Sequence, residues 1–277
     1  MSAVAGPAPG TARSGPRRGG PRYLPIYFGA LLLLLYLPIG ILFVFSLQTN
    51  TTLSFPLGSL TLDWYGQLGE SDALLRAARN SVVVALASSL VATGLGTMIA
   101  LVVVRHRFRS RNVLIALSAL PLIVPFIVLA VALLILFRSL SIELSLATVG
   151  IAHTIVALPY VLLIVGARLI GFERNLEEAA MDLGAGELGA IRLVVLPLIA
   201  PSMVAAWLTA FTVSFDEFAL ALFLAGPGDP TFPVYMLGQL RFSRTLPLII
   251  SLAVLMLVGT LVLISIAEMV RRRDPAR

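Results

Sequence analysis

The sequence predicts an all-helical integral membrane protein with six transmembrane helices, and its composition and its apolar runs carry this prediction. Hydrophobic residues make up 58% of the 277 residues and charged residues only 12%, whereas about a quarter of the residues in a soluble domain are charged. The mean hydropathy is +0.99. At about 20 apolar residues per crossing, the chain has room for about five to seven membrane spans.

The N-terminal part predicts a tail, one span and a short surface helix. Residues 1–22 are rich in Gly, Pro, Ala and Arg, which is typical of a disordered segment. The apolar run 24–47 is too long for a signal-peptide core and no small-residue cleavage site follows it, so we expect it to remain as the first span. The polar stretch 48–76 contains Trp64 and Tyr65 and suits a short helix at the membrane interface.

Five further apolar runs have the length of a membrane helix, namely 77–104, 113–137, 146–170, 198–224 and 246–269. In the second span, Gly94 and Gly96 would permit close approach of another helix. In the third, Pro121 and Pro125 predict a kink. Together with the first run they give a six-span domain from 23 to 270, followed by a tail from 271 to 277.

The distribution of arginine predicts the orientation in the membrane. All twenty basic residues are arginine, and with six spans fifteen of them fall on the side of the two termini and five on the other. Because basic residues concentrate on the cytoplasmic side, both termini and the hydrophilic segment 171–197 are expected in the cytoplasm. This bias accounts for the net charge of +6, and no basic face of a soluble domain points to nucleic acid.

Two missing residue types exclude classes of chemistry. A Walker-type phosphate loop needs a lysine, and the chain contains none. It also contains no cysteine, which excludes disulfides, thiol nucleophiles and cysteine metal sites. We therefore expect no catalytic residue, no metal site and no cofactor in this chain, and any ATP that drives it would be bound elsewhere.

The hydrophilic segment between the fourth and fifth spans predicts two short helices. Asn175 is a suitable N-cap, and Glu178 could complete a capping box. Gly184 is expected to stop the first helix, and the second, from Glu187 to Leu196, is expected to end at Pro197. Local physics leaves two functions open: a surface that another protein contacts, or a self-capped hairpin that only joins two spans.

The spacing within this segment resembles a known family motif. Glu178-Ala179-Ala180 is followed after three residues by Gly184, after nine more by Val194, and then by Leu196-Pro197. This pattern is similar to the EAA loop of ABC-importer permeases, with valine where isoleucine is usual. The resemblance implies the MetI-like, type I importer fold and a coupling loop, 171–197, that docks on an ATPase. The coupling residues it implies are Glu177, Glu178, Ala179, Ala180, Asp182, Gly184, Leu196 and Pro197.

Four further stretches resemble spermidine and putrescine permeases of the PotC type. They are Pro197–Ile199, Ser214–Phe218, Ala225–Gly228 and Phe232–Tyr235, and the resemblance covers most of residues 77–270. It implies a polyamine or a similar small cation as substrate. Permeases for ferric iron, thiamine, opines and aminophosphonates look alike at this level, so these substrates stay open.

The resemblance also implies partners and a location. The chain would pair with a second permease subunit, a paralogue of the PotB type, and with two copies of an ABC ATPase that bind ATP and Mg. A periplasmic or lipid-anchored binding protein would deliver the substrate. The location implied is the bacterial cytoplasmic (inner) membrane.

The candidate substrate path contains Asp216, Glu217, Thr212 and Tyr235. In a continuous fifth span Asp216 would lie about 27 Å beyond Leu198, near the outer interface and on the same stripe as Thr212, with Glu217 about 100° away. Ionisable groups within a span normally face a cavity or a partner. The alternative is that both acids reach interfacial water or pair with an arginine, for which the candidates are Arg241 and Arg244. His153 is expected to be hydrogen-bonded between helices, and a proton relay is the alternative.

A transporter or channel without an ATPase is the alternative from another class. It would predict charged residues within several spans and internal repeats, and neither is clear in the sequence.

Overall fold

The computed structural model describes residues 23–51, 56–240 and 246–272, which are almost entirely helical. The α-helices in these ranges are α1 Leu24–Ser46, α2 Asp63–Gln67, α3 Asp72–Arg105, α4 Arg111–Ala119, α5 Phe126–Ser139, α6 Leu146–Ile170, α7 Asn175–Asp182, α8 Glu187–Ala190, α9 Leu196–Phe215, α10 Ala219–Leu224, α11 Phe232–Gln239 and α12 Leu246–Arg272. The chain divides into two compact units, Met1–Val44 and Phe45–Arg277. Within the first unit, nearly all described side chains of α1 are exposed.

The predicted membrane spans are present as long apolar helices. Five helices in the described ranges are long and apolar enough to cross a membrane, namely Ile26–Ser46, Asp72–Arg105, Leu146–Ile170, Glu187–Phe215 and Leu246–Ile266. A sixth crossing is possible through a pair of helices, Arg111–Leu122 and Phe126–Ser139, that are bent by 108°. The fold is therefore all-helical with five to six candidate spans, as the sequence predicts.

The bend in the third span is much sharper than a proline kink. The helix passes into a 3-10 turn at Leu120–Leu122 and restarts at Phe126 after Pro125. Proline lacks an N–H and disfavours the helical conformation of the residue before it, and two prolines four residues apart apply both effects within one turn. The two prolines therefore predict the position of the break correctly. The observed bend of 108° is larger than the kink that the sequence predicts.

The core of the second unit is formed by α3, α6 and α9. The buried residues of α3 include the small residues Ala85, Ser88, Ala92 and Gly96, and the glycine lies close to α6. A Cβ atom at Gly96 would lie 2.7 Å from Cγ1 of Val161, whereas a Cβ at Gly94 would meet nothing within 4 Å. Only Gly96 therefore serves the close approach that the sequence predicts for both.

Contacts at the helix ends show how the chain alternates between the two ends of this unit. Arg105, at the end of α3, pairs with Glu177, which follows α6. At the opposite end, Thr148 in the first turn of α6 donates a hydrogen bond to the Leu224 carbonyl (2.8 Å). Because α3 and α6 end together, α4 and α5 must carry the chain back to the start of α6. The bent pair thus acts as one crossing, which favours six spans.

The fifth span begins earlier and ends earlier than the predicted 198–224. Helical structure is continuous from Glu187 to Phe215, through a π-helical turn at Ile191–Val195. Pro197 lies in the first turn of α9 and does not end a helix. The wider π turn directly precedes this proline, where the helix must accommodate its ring and its missing N–H. At the other end, α9 stops at Phe215 and the chain restarts as α10.

Some predictions concern residues outside the described ranges. These are the tail 1–22, the arginines proposed as partners of the acidic pair (Arg241 and Arg244), and residues 273–277. Helix α12 itself extends to Arg272, three residues beyond the predicted end of the sixth span.

Candidate functional site

Helix α7 begins without the predicted cap. Asn175 is its first residue, and no side chain caps the helix at Arg174, which already has helical dihedral angles (φ −61°, ψ −26°). A side-chain cap requires an extended backbone at the N-cap residue, and the chain instead enters α7 from a turn in which Leu176 N donates to Glu173 O (3.3 Å). The predicted capping box between Asn175 and Glu178 is therefore wrong.

Gly184 terminates helix α7 as predicted, two residues after the last helical residue, Asp182. This glycine has φ +92°, a conformation that is unfavourable for residues with a Cβ. Its N–H donates to Met181 O (2.9 Å), and Ala185 N donates to Ala180 O (3.0 Å). This pair of bonds is the Schellman arrangement, which satisfies the last carbonyl groups of a helix. The turn fixes the direction in which the chain leaves α7.

The turn between α7 and α8 presents an exposed apolar surface. Leu183 is 90% exposed and Leu188 is 79% exposed, and the acidic residues Glu178 and Asp182 beside them are also exposed. We call these four residues the α7–α8 surface. Isolated exposed leucines are common, but two of this size on one short hairpin with two acidic groups mark a surface suited to a protein partner.

The other residues that the resemblance implies for coupling lie on α7 and at the start of α9. Ala179 is exposed and Ala180 half-buried, and neither places bulk on the outer side of α7. Leu196 and Pro197 lie in the first turn of α9, after the π-helical turn. They therefore belong to the span that follows the hairpin and not to the hairpin itself.

Glu177 faces inward, unlike its neighbour Glu178. Both of its carboxylate oxygens accept hydrogen bonds from the guanidinium group of Arg105, the last residue of α3. The same guanidinium lies over the ring of Phe172, 6.0 Å from its centroid. Sequence reasoning missed Arg105, because nothing in the chain order indicates which of its arginines meets this acid.

The acidic pair lies at a break between α9 and α10. Asp216 is exposed and follows the last residue of α9. It lines a cavity of about 480 Å³. The other walls of this cavity are mainly aromatic, methionine and leucine side chains, which come from α11, from α12 and from the residues on either side of Asp216. We call this the Asp216 cavity. Its chemistry, one carboxylate among aromatic rings and methionines, suits a cation that carries an apolar body.

Glu217 is buried at the same break and holds the start of α10. Its carboxylate accepts hydrogen bonds from the backbone N–H groups of Ala219 (2.9 Å), Leu220 (2.8 Å) and Ala221 (3.3 Å). A carboxylate at a helix N-terminus satisfies donors that have no partner within the helix. Because the fifth span breaks here, Glu217 does not sit 100° around a continuous helix from Asp216.

A polar network begins beside the buried carboxylate. The Nε2 atom of His153 lies 3.3 Å from Glu217 Oε2, although the contact lacks hydrogen-bond geometry. Its Nδ1 is hydrogen-bonded to Ser214 Oγ (2.8 Å), which is also hydrogen-bonded to Ser88 Oγ (2.8 Å). His153 thus bonds between helices, as expected, and the network joins α3, α6 and α9.

The structure does not bring all four path candidates to one cavity. Thr212 lines a separate cavity of about 280 Å³ between α6, α9 and α12, and its hydroxyl donates to Leu208 O (3.0 Å). Tyr235 packs against a hydrophobic cluster that contains Leu74 and Phe232. No group of three or more His, Asp or Glu side chains that could hold a metal ion occurs within the described ranges.

Comparison with known proteins identifies relatives of this chain. Residues 92–273 match the family of binding-protein-dependent transport system inner membrane components. The chain is 33% identical over 238 residues to the spermidine/putrescine transport system permease protein PotC of Escherichia coli K12, covering 86% of this chain and 89% of PotC. It is 34% identical over 230 residues to the putrescine permease PotI of the same strain, covering 80% and 81%. A probable molybdenum ABC transporter permease of Haloferax volcanii is 35% identical over 210 residues, covering 71% of each chain.

Solved structures share the fold at low sequence identity. A chain of a bacterial ABC transporter involved in alginate import superposes with a TM-score of 0.70 at 15% identity, covering 88% of this chain and 94% of that one. A chain of the MetNI methionine ABC transporter superposes with a TM-score of 0.58 at 17% identity, covering 72% and 95%.

Proposed function

Since the chain belongs to the inner membrane components of binding-protein-dependent transport systems, and is thus the permease of an ABC importer, we propose that it imports a polyamine such as spermidine or putrescine. It forms one half of the translocation path and hydrolyses no ATP itself. ATP and Mg are bound by two copies of a separate ATPase, and a binding protein delivers the substrate. The other half of the path is a second permease subunit of the PotB type.

The exposed α7–α8 surface is the observation that carries the coupling part of this proposal. Leu183 and Leu188 offer apolar area to a groove on the ATPase, while Glu178 and Asp182 flank them with charge. The Schellman turn at Gly184 holds the two short helices in a fixed relation. By the arginine distribution this surface lies in the cytoplasm, where the ATPase is found.

The mechanism is alternating access by rigid-body movement. Binding of ATP closes the two ATPase subunits, the α7–α8 surface moves with the groove that holds it, and the attached spans turn the path toward the binding protein. Hydrolysis returns the path to the cytoplasm. The residues of the coupling loop transmit force in this cycle and take no part in bond breaking.

The Asp216 cavity supports a cationic substrate. Its carboxylate would pair with an ammonium group, and the aromatic and methionine walls would contact the methylene chain. The names of PotC and PotI point in the same direction. The Haloferax relative has a similar identity, so identity alone does not select the substrate. Ferric iron, thiamine, opines and aminophosphonates are the competing cargoes.

Uptake into proteoliposomes tests this proposal. The complete importer is reconstituted with its binding protein and ATP, and uptake of radiolabelled spermidine and putrescine is measured with Asp216→Asn and with Asp229→Asn, a matched change in an exposed loop. Removing a carboxylate that pairs with an ammonium group costs about 1.5–3 kcal/mol, or a ten- to hundredfold loss of uptake. We expect this loss for Asp216→Asn alone. Uptake at the wild-type rate by Asp216→Asn would exclude Asp216 from the path.

A further inference from the structure

We propose that Arg105 and Glu177 clamp the coupling loop to α3, and that α3 carries the movement of this loop to the wall of the Asp216 cavity. Arg105 is in this sense a positioning residue: it touches neither substrate nor ATP and acts through Glu177 and α3. The inference rests on the proposed function, because it assumes that the α7–α8 surface moves with an ATPase.

The clamp is a bidentate ion pair in a partly buried position. Two guanidinium nitrogens of Arg105 donate to the two carboxylate oxygens of Glu177, and each side chain is only 14% exposed. The ring of Phe172 covers the guanidinium. Bidentate Arg–carboxylate pairs fix geometry as well as energy, and reduced exposure limits screening by water and salt.

Arg105 and Glu177 line a groove together with His106 and Glu187. The contact between His106 and Glu187 in this groove shows the contrast. His106 Nε2 lies 4.0 Å from Glu187 Oε1, and these side chains are 54% and 75% exposed. An exposed ion pair contributes about 0–1 kcal/mol, and this contact is an ion pair only when the imidazole is protonated. His106 is adjacent to Arg105 in sequence, but its exposed contact is with α8, whereas the bidentate, partly buried Arg105 pair joins α7 to the end of α3.

Helix α3 connects this clamp with the opposite end of the unit. Its 34 residues span about 51 Å at 1.5 Å per residue. Near its start, Asn80 Nδ2 donates to Pro230 O (3.1 Å), and Ser81 Oγ accepts from Phe232 N (2.8 Å). Phe232 is the first residue of α11 and lines the Asp216 cavity. A displacement of α7 is thus passed by hydrogen bonds and packing to the cavity wall.

The two adjacent glutamates then have separate functions. Glu178 is exposed on the α7–α8 surface and is available to the ATPase, whereas Glu177 is engaged within the chain. Loss of Glu178 would weaken binding of the ATPase. Loss of Glu177 would leave binding intact and disconnect it from transport.

The test measures substrate imported per ATP hydrolysed by the reconstituted importer. Arg105→Gln, Glu177→Gln and the charge swap Arg105→Glu/Glu177→Arg are compared with the wild type, and His106→Ala serves as the control from the same groove. Co-purification with the ATPase and gel-filtration profiles are recorded for each.

We expect each single variant to bind the ATPase normally and to import about tenfold less substrate per ATP, which is the size of a typical coupling between two sites. The swap restores the ratio, and His106→Ala does not change it.

The outcomes separate this inference from the proposed function. A wild-type chain that binds no ATPase, or that imports without ATP, overturns the proposed function itself. A wild-type chain that works as proposed, with single variants that keep the wild-type ratio, overturns only the clamp. If a single variant fails to assemble, the charge swap decides, because a swap that assembles without restoring the ratio also overturns the clamp.

Discussion

At the scale of single residues, Glu177 and Glu178 show how position decides the use of a side chain. They are identical and adjacent, but successive residues on a helix point about 100° apart. One carboxylate therefore meets Arg105 at the end of α3, and the other faces solvent. The sequence places an acidic group at both positions, and only the packing of α7 against α3 distinguishes them.

Substitution of Gly96 tests the contact between α3 and α6. We expect Gly96→Ala to lower the stability of the purified protein by about 1–3 kcal/mol, because its Cβ would collide with Val161 and force the two helices apart. Thermal unfolding in detergent, followed by intrinsic fluorescence, measures the change.

Gly94→Ala is the matched control for this prediction. A Cβ at Gly94 meets nothing within 4 Å, and alanine is about 1 kcal/mol more favourable than glycine within a helix. The control should leave stability unchanged or raise it. Equal losses in both variants would show that α3 and α6 do not pack as described.

Substitution of Gly184 tests the turn of the coupling loop. Alanine at φ +92° costs about 1–2 kcal/mol, so Gly184→Ala should shift the turn and weaken binding of the ATPase about five- to thirtyfold. Gly186, two residues later, has φ −69°, and Gly186→Ala should bind normally. Surface plasmon resonance with immobilised permease gives both affinities, and equal affinities would contradict a role for the turn.

At the scale of elements, the break between α9 and α10 depends on Glu217. A helix that starts inside a bundle leaves N–H groups without partners, and each unsatisfied buried group costs about 1–3 kcal/mol. Glu217 accepts from three of them, and His153 lies beside the carboxylate. The acid that sequence reasoning assigned to the path has a clear structural function here, and its contribution to transport stays a proposal.

Replacing Glu217 should therefore affect stability more than replacing Asp216. We expect Glu217→Ala to destabilise the protein by about 3 kcal/mol, because it leaves the start of α10 uncapped and His153 without its acidic neighbour. Asp216→Asn should change the unfolding temperature little, since Asp216 is exposed. Both are measured by thermal unfolding in detergent, and a larger loss for Asp216→Asn would contradict this assignment.

At the scale of the whole molecule, the contacts at helix ends determine the number of crossings. The end of α3 meets the segment after α6, and the start of α6 meets the end of α10. Gly226 lies against the backbone of Leu144, so the loops before α6 and after α10 also meet at one end. The bent pair α4–α5 thus connects opposite ends of the unit despite its 108° bend.

Single cysteines can test this alternation, since the chain has none of its own. Arg107 and Glu143 flank the bent pair, and both are exposed. We expect Arg107→Cys to react with a membrane-impermeant maleimide only from the cytoplasmic side, and Glu143→Cys only from the outside, together with Asp229→Cys. Reaction of the first two from the same side would show that the bent pair returns without crossing.

The sequence alone predicted an all-helical membrane protein, the approximate positions of its spans and its family. The thickness of the bilayer sets the length of an apolar run, and the run 146–170 has the same bounds as helix α6. The end of α7 was predicted from Gly184, because a positive φ favours glycine. These features depend on local composition and spacing. The prolines likewise placed the break in the third span, without its angle.

Only the tertiary structure decided which polar residues act together. The Arg105–Glu177 pair and the His153–Glu217 contact each join residues that are far apart in the sequence. The break after α9 interrupts a helix that sequence periodicity would continue. The physical reason is that a buried or half-buried charge is tolerated only beside a partner. That partner comes from whichever helix packs against it, and chain order does not reveal which helix that is.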